Sequence, residues 1–121
     1  MTFAMLRFQR IYQLGCLACR RMGYFSACQV HHLNLGEHAG QRRLGDEHTI
    51  GLCPWHHVGE PIRAFTLAEC RDLLGPSMKH EPRRFREFFG SDAALLAWQN
   101  ELIQRAESIL VGRPLQLGVL T

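Results

Sequence analysis

The sequence has little lysine, no long apolar run and no internal repeat. Lys79 is the one Lys, beside thirteen Arg. No stretch approaches the roughly eighteen apolar residues that a membrane-crossing helix needs, so no span is expected. Arg7 and Arg10 interrupt the first apolar stretch, and the N-terminus does not read as a signal peptide. Without an export signal, the five Cys read as reduced thiols, and the expected location is the cytoplasm. Charged residues, at 21%, are too few for a disordered chain, and 9% aromatics are too many.

What remains is a chain of 121 residues with 46% hydrophobic content, enough for one domain over 1–121 with a single modest core. The net charge of +3 permits an anionic partner without requiring one. Arginine suits bidentate phosphate contacts, although a GC-rich genome produces the same bias.

Residues 3–14 carry Met5, Phe8, Ile11 and Tyr12 at helical spacing, with Gly15 as a stop, which predicts an N-terminal helix over 1–15. The segment 16–60 is turn-rich. Within it, the runs 28–33 and 48–52 read as short strands. Pro54 suits the first position of a helix that Gly59 and Pro61 close. The region 61–121 reads as helical. Thr66 and Glu69 form a capping box ended by Gly75 and Pro76. Pro82 to Phe89 form a second helix, with Phe85, Phe88 and Phe89 on one side. Ser91 caps a last helix whose stripe of Leu95, Leu96, Leu102, Ile103, Ala106, Ile109 and Leu110 is expected to be core.

Cysteine and histidine concentrate in one place. Cys16, Cys19, Cys28 and Cys53 share a segment with His31, His32, His38, His48, His56 and His57. Cys16-x-x-Cys19 and Cys53-x-x-His56 are two half-sites whose tight turns can aim four ligands at one tetrahedral zinc. Such an ion supplies folding free energy directly, which suits a small core. On a helix adjacent residues project about 100° apart. If His56 faces the zinc, His57 therefore faces elsewhere, and His32, His48 and His57 are expected to converge on one surface.

These residues resemble a known family. Cys16-x-x-Cys19, Val30-His31-His32 and His48-Thr49-Ile50-Gly51-Leu52-Cys53-x-x-His56-His57 are similar to the HNH, or ββα-metal, endonucleases. The stretches 15–19 and 52–57, with Pro82–Gly90 and Leu95-Leu96 downstream, look closer to the phage recombination-enhancement, RecA-dependent nucleases of the Ref type. The likeness covers roughly residues 14–104. It implies an α+β fold: a small zinc-stabilised ββα-metal core with a flanking N-terminal helix and a helical C-terminal half. It also implies a phage or prophage protein acting in a bacterial host on DNA, with the RecA filament as a partner. By the resemblance, His32 is the general base, and His31 and His57 are ligands of a catalytic divalent ion, Mg²⁺ or another metal. His48 stands where many members carry Asn, and could orient, ligate or touch phosphate.

Plainer readings stand beside these. Cys28 is expected to be a buried strand thiol rather than a fifth zinc ligand, and Cys70 a buried helix thiol. His38 reads as a solvated loop residue. His80 suits helix entry and phosphate contact equally. Trp55 reads as packing rather than base stacking. Arg42, Arg43, Arg83, Arg84 and Arg86 are candidates for DNA phosphates. The competing function is a non-catalytic zinc-knuckle module that binds nucleic acid or protein. Such a knuckle needs Cys16, Cys19, Cys53 and His56 but has no use for His31, His32, His48 and His57. That surplus favours an enzyme.

Overall fold

The computed structural model describes residues 1–34 and 43–110, so Arg42 and His38 lie outside the described residues. Helix α1 spans Phe3–Leu14, with the Thr2 hydroxyl capping the Met5 amide and Gly15 (φ 79°) ending it. Cys16 then caps a short α2, Leu17–Arg21, where the sequence alone suggested only turns. Strand β1 (Gln29–His32) pairs antiparallel with β2 (Thr49–Leu52). Helix α3 (Pro54–Val58) starts at Pro54 and stops at Gly59. Helix α4 (Leu67–Leu74) carries the Thr66–Glu69 capping box, and α5 (Pro82–Phe89) ends at Gly90. Helix α6 (Asp92–Leu110) closes the described chain, and Ser91 Oγ accepts from the Ala94 amide at its start. The chain is a small α+β protein with one two-stranded sheet. No described helix is long and apolar enough to cross a membrane.

Alternation along the strands gives the sheet two working faces. The register sets Gln29 opposite Leu52, Val30 opposite Gly51, His31 opposite Ile50, and His32 opposite Thr49. Gln29 and His31 therefore share a face with Ile50 and Leu52. That face looks toward α3, because His57 Nδ1 lies 2.8 Å from Gln29 Oε1. Val30 and His32 share the other face with Thr49 and Gly51. It looks toward α1, whose Phe8 ring meets the His32 ring edge-on at 6.1 Å.

The outer edge of β2 is occupied by side chains rather than a third strand. Arg7 donates from Nε to Thr49 Oγ1 (2.8 Å) and from Nη2 to the Thr49 carbonyl (2.6 Å), and its Nη1 reaches Asn100 Oδ1 (2.8 Å). Farther along, the buried Gln99 accepts from the Gly51 amide at 2.9 Å. These bonds satisfy ladder groups that a sheet edge would leave exposed.

The core differs from the helical-spacing reading at three places. In α1 the buried residues are Arg7 and Ile11, one turn apart, while Met5 and Tyr12 are exposed. The polar partners of Arg7 offset the cost of burying its charge. In α5, Phe85 and Phe89 are buried, but Phe88 is 55% exposed and does not share their side. In α6, Leu95 and Ile103 are buried and Leu96 and Leu102 pack against the core, but Ile109 is exposed.

Gly51 marks the tightest packing. A Cβ there would stand 2.8 Å from Cys28 Sγ and 2.9 Å from both the Gly15 carbonyl and Ile11 Cγ2. Two of those three neighbours sit on or beside α1, which cannot retreat without breaking its contacts with β2. Gly51→Ala is expected to lower stability by about 1–3 kcal/mol, the usual cost of overpacking. A denaturant midpoint unchanged from the parent would contradict this.

Candidate metal centre

Each half-site is built on a helix start. Cys16 caps α2 and its Sγ accepts from the Cys19 amide at 3.3 Å; Cys53 caps α3 and its Sγ accepts from the His56 amide at 3.5 Å. A thiol caps the helix and, in the same pose, is aimed at the ligand three residues on. The four ligand atoms lie within 4.8 Å of one another, and all four residues are buried.

Their separations suit zinc. Cys19 Sγ and Cys53 Sγ are 3.7 Å apart. The edge of a tetrahedron with ~2.3 Å Zn–S bonds is ~3.8 Å. His56 Nδ1 lies 3.5, 3.5 and 3.2 Å from the sulfurs of Cys16, Cys19 and Cys53. For Zn–N of ~2.0 Å the matching edge is ~3.5 Å. The other ring nitrogen, Nε2, is 2.7 Å from the Leu74 carbonyl. A carbonyl only accepts, so Nε2 carries the hydrogen and Nδ1 presents its lone pair when a metal is bound.

Charge in this cluster follows the same geometry. Hydrogen bonds from Cys16 and Cys19, then from His56, hold the Cys53 thiol far below its usual range despite burial. Burial alone would lower His56, but its bonds to the Cys19 and Cys53 sulfurs raise it to about 9. A thiolate beside an imidazolium is a site prepared to exchange protons for a cation.

The remaining cysteines stay out of the cluster. Cys28 is half-buried, and its Sγ donates to the Ile11 carbonyl at 3.4 Å. Cys70 is fully buried and accepts from the Ile62 amide. Trp55 is buried and donates to the Gly75 carbonyl at 3.0 Å, a packing role. His80 donates to the Gly59 carbonyl at 2.9 Å and packs on Trp55. Its ring would collide with any Cβ at Gly59, so it serves the helix junction.

The other histidines separate into two groups. His31 and His57 meet with ring centroids 4.8 Å apart. Burial, then the positive charge of His57, Arg86 and His32, brings His31 down to about 4. Burial also lowers His57, with Cys53 opposing. Burial works against the charged form of both rings, which is the direction a metal-binding imidazole needs. Gln29 occupies Nδ1 of His57, and no hydrogen bond engages its Nε2 among the described residues.

His32 projects to the opposite face of β1. Its Nε2 is 2.8 Å from Asp46 Oδ1, and Arg43 Nη2 is 3.0 Å from its ring nitrogens. The expected convergence of His32, His48 and His57 is thus not what strand alternation gives: His57 meets His31, and His32 meets Asp46 and Arg43. His48 works through its backbone, accepting from the Leu33 amide and donating to the Gly45 carbonyl. Its ring lies 3.3 Å from Glu47 Oε1, and no hydrogen bond joins it to His32 among the described residues. The sequence reading missed Asp46 and Gln29; a Gly45-Asp46 turn just before β2 was the available signal for the first.

The candidate phosphate arginines also separate. Positions two apart on a helix do not share a side. Arg84 turns toward Glu81 (3.5 Å) and Arg86 toward Asp92 (3.2 Å), near enough to His31 for its charge to disfavour the imidazolium there, and Arg83 is exposed. Arg84 and Arg86 do not share a side, whereas Arg83 and Arg86, three apart, do.

Fold and site together define a small α+β protein with a buried three-cysteine, one-histidine cluster able to hold a structural zinc. The chain belongs to the recombination enhancement, RecA-dependent nuclease family, whose model matches residues 5–104. The match begins inside α1, earlier than the likeness read from the motifs. The family name carries nuclease activity, with DNA and RecA as the molecules involved. No curated protein and no solved structure matches the chain.

Proposed function

We propose that the protein is a metal-dependent DNA endonuclease of the HNH type, in which β1, β2 and α3 form the ββα-metal core. The observation that carries the reading is the close, partly buried pair of imidazoles, His31 and His57, with ring centroids 4.8 Å apart, which the zinc cluster does not need. His31 comes from β1, and His57 follows a zinc ligand on α3. The zinc cluster thus fixes one catalytic ligand by fixing its neighbour. A divalent ion such as Mg²⁺ held by this pair would stabilise charge on the phosphate and on the departing oxygen.

His32 lies on the next residue of β1, whose outer edge has no strand partner among the described residues. A phosphodiester along that edge meets His31 from one sheet face and His32 from the other. His32 takes a proton from water, the water oxygen bonds to phosphorus, and the bond from phosphorus to the 3′ oxygen breaks. The 3′ oxygen leaves as a hydroxyl, protonated from solvent, and the phosphate stays on the 5′ end. Arg43, beside His32, and Arg86, beside His31, are the arginines placed to meet phosphate oxygens. DNA is the substrate and the RecA filament the partner, in keeping with the family.

The test is cleavage of single- and double-stranded DNA with Mg²⁺, Mn²⁺ or Ni²⁺, with and without RecA filaments. His57→Ala is expected to abolish cutting while leaving zinc content and melting temperature nearly unchanged. His56→Ala is expected to lower both zinc and melting temperature. Identical behaviour of the two variants, or no cutting under any condition, would favour the non-catalytic binding module.

A further inference from the structure

Asp46 lies outside the zinc cluster and outside the His31–His57 pair, yet its carboxylate is the nearest polar partner of the His32 ring at 2.8 Å. The backbone around it is held from three sides. The His48 amide donates to the Gly45 carbonyl at 2.9 Å, closing a tight turn with Asp46 inside it. The Thr49 hydroxyl donates to the Asp46 carbonyl at 2.7 Å. That hydroxyl in turn accepts from Arg7 Nε at 2.8 Å, a guanidinium buried between α1, β2 and α6. A line of hydrogen bonds therefore runs from the core through Thr49 to the turn. Such chains strengthen link by link where water is excluded.

We propose that Asp46 is the positioning residue for His32, taking the orienting task that the sequence pattern would give to His48. This rests on His32 being the base of the reading above. An ionised carboxylate can only accept, so the hydrogen of a neutral His32 sits on Nε2. Nδ1 then presents the lone pair that receives the proton from water. Arg43 Nη2 lies 3.0 Å from both ring nitrogens, so it crowds the Nδ1 side of the ring without lying along its lone pair. An arriving phosphate is a stronger partner for the guanidinium, so substrate entry draws Arg43 away and frees Nδ1. The arrangement selects the tautomer, fixes the ring's rotation, and couples uncovering of the base to phosphate binding.

The side chain of Asp46 can be changed without losing the Thr49 bond, which uses the backbone carbonyl. The test uses the full zinc-loaded chain, with ¹⁵N spectra of the His32 ring and cleavage kinetics on the same samples. The parent is expected to show the Nε2–H tautomer of His32. Asp46→Ala is expected to show a mixture of tautomers and to lose roughly tenfold to a hundredfold in kcat, the usual worth of a partner that orients a functional histidine. KM should hold, because Asp46 touches the base and not the substrate. Asp46→Asn, whose amide oxygen still accepts from Nε2, is expected to restore the tautomer and part of the rate. In a His32→Ala background, removing Asp46 should cost nothing further. An unchanged tautomer in Asp46→Ala, or an equal loss of rate with and without His32, would overturn the proposal. Full activity of His32→Ala would instead overturn the assignment of the base, and the spectra would still decide whether Asp46 holds the ring.

Discussion

Removing the metal from the Cys16, Cys19, Cys53 and His56 cluster is expected to unfold the protein rather than merely inactivate it. Small zinc domains gain about 10–16 kcal/mol from the ion. The net stability of a domain is only about 5–15 kcal/mol. The cluster joins α2 to α3, and through the His56–Leu74 bond it also fixes the end of α4. Emptied of metal, it would bury three thiols and an imidazole at separations of 3.2–3.7 Å, as thiolate and imidazolium or as crowded polar groups. A strong chelator should abolish the cooperative melt, and added zinc should restore it. Cys53→Ser should act as the chelator does, because a hydroxyl is a poor zinc ligand. Protons compete for the same ligand atoms, so metal affinity should fall as pH falls. A melt that chelator leaves in place would show that the cluster is an ordinary packed core.

The second large effect belongs to His32. His32→Ala is expected to retain zinc, fold and DNA binding while losing about 10²–10⁴-fold in cleavage rate, the worth of a positioned base. Its ring stands at the end of β1, partly exposed, held from the side by Asp46 and Arg43. Its ring meets Phe8 edge-on and is not part of the buried core, so its removal is expected to open no large cavity. A variant that cuts at the parent rate would move the base elsewhere, with His48 as the next candidate.

The elements legible in the sequence were those with chemical punctuation: Thr66 with Glu69, Pro54 with Gly59, Pro82 with Gly90, and Ser91 before the last helix. The zinc cluster was legible for a related reason, since its spacing is dictated by two short turns. Helix α2 was hidden because its cap is Cys16, a residue whose metal role masked its capping role. The buried side of α1 was hidden because it turns on Arg7, and apolar periodicity does not select a buried guanidinium. The division of His31 from His32 follows from period-two alternation, but the partners of His32 do not. Asp46 reaches it only through a turn closed by Gly45 and His48 and tied down by Thr49, contacts that spacing along the chain does not encode. Arg84 and Arg86 look like a single cluster in a linear string and are parted by helical rotation.

The bridge between Asn34 and Arg43 brings the chain back to its starting point just beyond the strands. The cluster brings Cys19 and Cys53, 34 positions apart, within 3.7 Å, so a zinc held there would fasten the other end of the same segment. A segment whose entry and exit are already pinned pays only slowly for extra length, about 0.6 kcal/mol for each doubling. A change in the number of residues joining Asn34 to Arg43 is therefore expected to cost the fold little. That stretch begins two residues after the proposed base and ends at an arginine touching it. If His32 is the base, insertions between these two anchors would enter the chain next to it while leaving the described elements in place, which offers a route to altered substrate preference.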